Sequence, residues 1–172
     1  MNEMRRLHQE RRAILRGSLR HSLRTLAAAG PLFVLGRLAA AAPAPSGALV
    51  EVWKSPTCGC CKDWIAHMET RGFRVRVHET GNTSMRQRLG IPAALGSCHT
   101  ALVGGYAIEG HVPAVDVMRL LAEKPAAAGL AVPGMPVGSP GMDGAVYGGR
   151  RDAYDVLLVA KDGGMRVFAS YR

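Results

Sequence analysis

The chain has 172 residues, 48% of them apolar, which is enough for one domain with a buried core. Its net charge of +9 is unevenly spread, because residues 1–42 hold eight Arg against two Glu and so carry +6 of it. The rest has no Lys/Arg run and few interleaved aromatics (5% Phe, Trp and Tyr overall), which argues against a nucleic-acid-binding protein.

Chain order begins with an Arg-rich leader, Arg5 to Arg24, followed by "LAAAGPLFVLG" and the Ala-rich "LAAAAPAPSGA". This reads as an export signal over residues 1–45, with cleavage expected between about Ala42 and Ala48 among small residues. "RRAILRG" at 11–17 resembles part of a twin-arginine signal, so the route stays open. Pro31, Gly36 and Arg37 interrupt what would otherwise be a spanning helix. The alternative is an uncleaved N-terminal anchor, the one way in which this chain would engage a membrane.

The folded domain is expected over 49–172. "LVEVW" reads as a short strand of branched and aromatic residues, and "SPTCG" as the loop that stops it. "CCKDWIAHMETRG" predicts a helix with Trp64, Ile65 and Met68 on one face and Gly72 at its end. "FRVRVHE" alternates with period two, as a half-buried strand does. A short helix "SMRQRLG", the Pro92 loop, the strand "HTALV", a Gly104-Gly105 turn and the strand "YAIEG" follow. "PAVDVMRLLAEK" predicts an amphipathic helix with Val115, Met118, Leu121 and Ala122 inward. The order β-α-β-α-β-β-α is that of a thioredoxin-like α/β fold.

Three of the four cysteines, Cys58, Cys60 and Cys61, lie within four positions where the first strand passes into the first helix. Unpaired N–H groups and the positive end of the helix dipole favour thiolate there, which suits a nucleophile or a metal ligand. The plainer reading is buried or disulfide-bonded cysteine in an exported protein. Cys98 alone reads as a small core residue. Topology raises it, since in a thioredoxin-like fold the loop entering the third strand, here "GSCHT", packs against the CxxC loop. His99 is its reserve, because adjacent residues on an extended backbone point to opposite faces.

Residues 126–152, "AAAGLAVPGMPVGSPGMDGAVYGGRRD", show neither helical nor strand periodicity and predict a long Gly/Pro/Met loop. Met135 and Met142 recur in "PGMP" and "PGMD" with no hydrophobic period to explain them, and thioethers are soft ligands that with thiolates suit Cu(I). The end, "YDVLLVAKDGGMRVFASY", predicts a hairpin that extends or covers the sheet, with Met165 in a packing role.

"SPTCGCCKDW", "SCHTALVGGYAIEGHVPA" and "GLAVPGMPVGSPGMDG" together resemble the exported proteins of domain of unknown function 411, which include CopG-type copper-resistance proteins; the resemblance runs from about Val50 to the C-terminus. It implies a thioredoxin-like domain of the bacterial cell envelope, in the periplasm, that binds copper through Cys58, Cys60, Cys61 and Cys98. His111 belongs to a shared motif and is implied at the same site, against a local role at a helix entry.

Two function classes follow. One is a protein that sequesters or relays Cu(I), with other envelope copper-handling proteins as partners. The other is a thiol-disulfide oxidoreductase built on Cys58 and Cys61, against which Cys60 offers a competing bridge. Four cysteines also suit structural zinc or an iron–sulfur cluster.

Overall fold

The structure is a computed structural model, and it describes residues 47–172. The export signal or anchor expected over 1–45 lies outside the described residues.

Strand β1 (Leu49–Lys54) sends Val50, Val52 and Lys54 to one buried face, as period-two geometry requires. Helix α1 (Gly59–Thr70) buries Cys61, Trp64 and Met68, and Gly72 follows it with φ of +87°. Strand β2 (Arg74–His78) then pairs parallel with β1, from Leu49 opposite Arg74 to Trp53 opposite His78. Helix α2 (Thr83–Arg88) and a 3-10 turn at Ala93–Leu95 lead into β3 (His99–Val103), antiparallel to β1. Gly104 and Gly105, at φ +56° and +85°, form the two-residue turn into β4 (Tyr106–Glu109), a geometry that suits a tight hairpin. Helix α3 (Ala114–Glu123) follows.

The chain continues through β5 (Gly129–Ala131), β6 (Tyr154–Val159) and β7 (Met165–Tyr171). The result is a mixed α/β domain with one seven-stranded sheet, ordered β2-β1-β3-β4-β5-β6-β7, and three helices among the described residues. The main core joins Val50, Val52, Trp64, Met68, Ile108, Val117, Leu120, Leu130 and Val156. Ala107, Ala131 and Val159 point the other way and form a smaller cluster with Ile91 and Leu95. The C-terminal hairpin extends the sheet, as expected from its sequence.

Three expectations need correction. The loop predicted over 126–152 contains β5, which is buried along its whole length between β4 and β6. Three residues covered on both faces leave no alternation to read. Their first position must be glycine, since a Cβ on Gly129 would lie 1.8 Å from the Ala107 carbonyl oxygen. Second, α3 turns Ala114, Asp116, Val117 and Leu120 inward; Met118 and Leu121 flank the core, and Val115 and Ala122 are exposed. An apolar pattern cannot register a buried Asp116, which accepts a 2.6 Å hydrogen bond from the Tyr171 hydroxyl. Third, Met165 is 55% exposed at the start of the terminal strand, so it does not pack. Strand β2 is less buried than its alternation suggests, with Val77 exposed, because it forms the sheet edge.

Candidate metal centre

Cys58 is the N-cap of α1 and makes no side-chain cap, while its own N–H bonds to the Ser55 carbonyl at 3.1 Å. Cys60 and Cys61 therefore lie in a first turn whose N–H groups have no capping side chain. Cys98 comes to the same place from the bend that precedes β3. Its Sγ lies 3.5 Å from that of Cys61 and 3.8 Å from that of Cys60, and Cys58 and Cys60 are 3.6 Å apart. All four sulfurs lie within 4.8 Å of one another. Cys58 and Cys61 are joined as a disulfide, which leaves Cys60 and Cys98 as free thiols.

Burial, reinforced by the neighbouring Cys60 sulfur, pushes the Cys98 thiol up to about 12, so without a bound cation it keeps its proton at neutral pH. A metal ion inverts that preference, because a coordinating thiol is deprotonated outright.

His111 presents Nε2 to the Cys98 sulfur at 3.0 Å, and its Nδ1 lies 2.7 Å from the Pro140 carbonyl oxygen. A carbonyl only accepts, so the hydrogen-bonding pattern assigns the proton to Nδ1 and a lone pair to Nε2, the tautomer a metal-binding imidazole needs. Desolvation by burial lowers its pKa and holds the ring neutral. His99 is fully buried, lies against Trp64 and places Nδ1 3.4 Å from the Cys98 sulfur, while its Nε2 has no hydrogen-bond partner. Alternation would send only one of Cys98 and His99 to the site. Both reach it, because Cys98 precedes the strand and the alternation starts at His99.

Met135 is 49% exposed at the mouth of the cluster, with Sδ 4.0 Å from the Cys60 sulfur. Met142 is buried elsewhere, its thioether accepting the Tyr147 hydroxyl at 3.3 Å, and no cluster sulfur is within hydrogen-bonding distance of it. The structure thus brings together Cys58, Cys60, Cys61, Cys98, His111 and Met135, with the reserve His99, and leaves Met142 in the interior.

Other supports went unnoticed in the sequence. Trp64 donates to the Val112 carbonyl at 2.9 Å, and His67 Nε2 accepts the Ala114 N–H at 3.1 Å, so α1 holds both ends of the segment after His111. Arg86 and Glu109 form a partly buried ion pair at 2.8 Å behind Cys98, and neither carried a motif or a periodicity that marked it.

Residues 95–142 match the family described as "Protein of unknown function, DUF411". Two solved structures are similar over most of the chain. "Copper resistance protein copG- Form 2" is 45% identical, with a TM-score of 0.68, covering 73% of this chain and 99% of its own. "Copper resistance protein copG- Form 1" is 47% identical, with a TM-score of 0.66, covering 72% of this chain and 96% of its own. The chain belongs to this CopG family. No curated protein matches it. The DUF411 segment contains Cys98, His111 and Met135, the part of the centre that comes from irregular backbone, while Cys58, Cys60 and Cys61 precede it.

Proposed function

We propose that this protein is an exported, periplasmic copper-binding protein that sequesters or relays Cu(I) and contributes to copper resistance. The observation that carries the reading is the convergence of four cysteine sulfurs within 4.8 Å, with a thioether at the mouth and an imidazole lone pair on Cys98. Thiolates and thioethers select soft cations, Cu(I) above all. A dithiol reductant must first supply two electrons and two protons to open the Cys58–Cys61 disulfide to two thiols, itself becoming a disulfide. The reduced centre then has more sulfur than one linear or trigonal ion uses, so bridging thiolates in a multinuclear cluster follow. Membership of a family with a structure titled as a copper resistance protein supports the same metal. The order of β1 to β4 with α1 and α3 on one core supports a thioredoxin-like domain carrying a hairpin extension. Relay would pass Cu(I) to other copper-handling proteins of the envelope through the exposed Met135 side.

The test is metal analysis of anaerobically purified, reduced protein from an exporting host: copper at one or more equivalents is expected, and zinc or iron instead would overturn the reading. The intact mass of the envelope form should place the mature N-terminus between Ala42 and Leu49, whereas the full chain in the cytosol would refute export. Met135→Ala should weaken Cu(I) retention against a chelator roughly tenfold, about 1.4 kcal/mol, and remove the thioether from the X-ray absorption shell. Met142→Ala should leave that shell unchanged and act on stability alone.

The disulfide also favours a second reading, thiol-disulfide exchange at Cys58 and Cys61. It predicts turnover of a disulfide substrate by the metal-free protein.

A further inference from the structure

We propose that Arg86 and Glu109 are positioning residues that set two sulfur ligands, Cys98 and Met135, from one half-buried anchor at Gly96 and Ser97. The inference rests on the copper reading above for the role of those sulfurs.

Cys58, Cys60 and Cys61 are placed by one helix turn. Cys98 and Met135 have no such frame, because each lies in irregular backbone outside any strand or helix. The frame is supplied by side chains. Glu109, fully buried at the end of β4, accepts the Ser97 N–H at 2.7 Å and the Arg86 Nε–H at 2.8 Å through Oε1. Its Oε2 accepts the Thr100 hydroxyl at 2.6 Å. Arg86, from α2, donates through Nη2 to the Ser97 carbonyl at 2.7 Å, and Asn82 Nδ2 adds bonds to the same carbonyl at 3.1 Å and to Thr100 Oγ1 at 3.2 Å. Both backbone polar groups of Ser97 are thus held by charged side chains, in the short, directional bonds that ionised partners make. Cys98 is the next residue.

The same anchor reaches the methionine loop. The Ser97 hydroxyl donates to the Gly134 carbonyl at 2.5 Å, and the Gly134 N–H donates to the Gly96 carbonyl at 3.2 Å. Met135 is the next residue there too. The packing leaves no slack: a Cβ on Gly110 would sit 2.5 Å from Ser97 Oγ and from the Val132 carbonyl oxygen, and one on Gly96 would sit 2.9 Å from Arg86 Nη1. One ion pair, its carboxylate fully buried and its guanidinium partly so, therefore fixes two ligands that stand 37 positions apart in sequence. A ligand ordered on folding need not be ordered again on binding, so the gain appears as affinity and as a fixed coordination shell.

The test uses the full chain from an exporting host, reduced and anaerobic, carrying Glu109→Gln or the charge-free pair Arg86→Met with Glu109→Gln. Cu(I) retention in chelator competition should fall roughly 10- to 100-fold, the range for loss of an outer-shell partner. The X-ray absorption shell should lose its thioether, and combining Glu109→Gln with Met135→Ala should cost less than the product of the two single effects. A folded variant with wild-type affinity and sulfur shell, or losses that multiply independently with Met135→Ala, would overturn the proposal. Alkylation of Cys98 relative to Cys60 in the copper-free chain supplies a reading without metal. It should rise several-fold in the Glu109 variant, and an unchanged ratio overturns the positioning role. Failure of the wild type to bind Cu(I) would instead sink the copper reading. If the paired variant does not fold, Asn82→Ala removes only the two weakest bonds and should move the same alkylation ratio by less, with no movement counting against the proposal.

Discussion

Replacing Cys98 with serine is expected to cost the reduced protein most of its Cu(I) affinity. Cys98 is the sulfur that others meet, with Cys60, Cys61, His99 and His111 each within 3.8 Å of its Sγ. Serine keeps the volume and the half-buried position, so the fold should survive. It replaces a soft sulfur with a hard hydroxyl oxygen that Cu(I) binds poorly. Loss of a direct ligand should exceed the roughly 10- to 100-fold penalty of losing an outer-shell partner. Loss of a bridging sulfur should also lower the number of copper ions held, which a single terminal ligand such as Met135 would not do. Chelator competition and copper-to-protein ratios measure the two effects separately. The same variant divides the two functional readings. An exchange enzyme needs only Cys58 and Cys61, so metal-free turnover of a disulfide substrate that Cys98→Ser leaves intact would favour catalysis over copper handling.

The cysteine cluster was legible because three sulfurs fall in one helical turn, where spacing alone sets their proximity. Cys98 was legible only through topology: the strand order had to be read first, and the β1–β3 register that sets Lys54 opposite His99 places the "GSCHT" segment beside the CxCC loop. The alternation rule that makes His99 only the reserve to Cys98 applies one residue later. Glu109 and Arg86 left no trace, because a buried charge looks like any surface charge until its partners are known. The same blindness misplaced the inner face of α3, where Asp116 is buried under Tyr171. Met135 and Met142 show the limit most directly, since both occur in the tripeptide Pro-Gly-Met and the sequence offers no ground to separate them. Their glycines separate them. Gly134 and Gly141 both have positive φ, +68° and +84°, but around Gly134 a Cβ would meet nothing within 4 Å. A Cβ on Gly141 would lie 2.6 Å from the Cys60 carbonyl oxygen and 2.7 Å from the Trp64 nitrogen. One segment is held through its backbone at Gly96 and Ser97, with open space at the Gly134 Cα, and offers its methionine to the cluster mouth, while the other is pressed against α1 and turns its methionine inward.

Gly141→Ala is accordingly expected to be far more damaging than Gly134→Ala. Each forces an L side chain into the left-handed region at about 1–2 kcal/mol. At Gly134 that is the whole cost. At Gly141 the new methyl also meets backbone atoms of α1, which cannot rotate away as a side chain would, and overpacking of this kind adds about 1–3 kcal/mol. Relief requires the loop to lift from the helix. The Pro140 carbonyl would lift with it, and that carbonyl holds the His111 Nδ1 proton at 2.7 Å and so keeps the Nε2 lone pair on the Cys98 sulfur. The substitution should therefore lower stability by about 2–5 kcal/mol in denaturant unfolding, the two costs combined. It should also weaken Cu(I) retention, although neither residue 141 nor its neighbour Met142 contacts the sulfurs. Gly134→Ala should cost stability only by the smaller amount and leave the His111 side of the site unchanged. Equal stability losses in the two variants would show that the loop does not rest on α1 at Gly141. A destabilised Gly141→Ala protein with wild-type Cu(I) affinity and an unchanged nitrogen shell would show that the Pro140 carbonyl does not hold His111 for the metal.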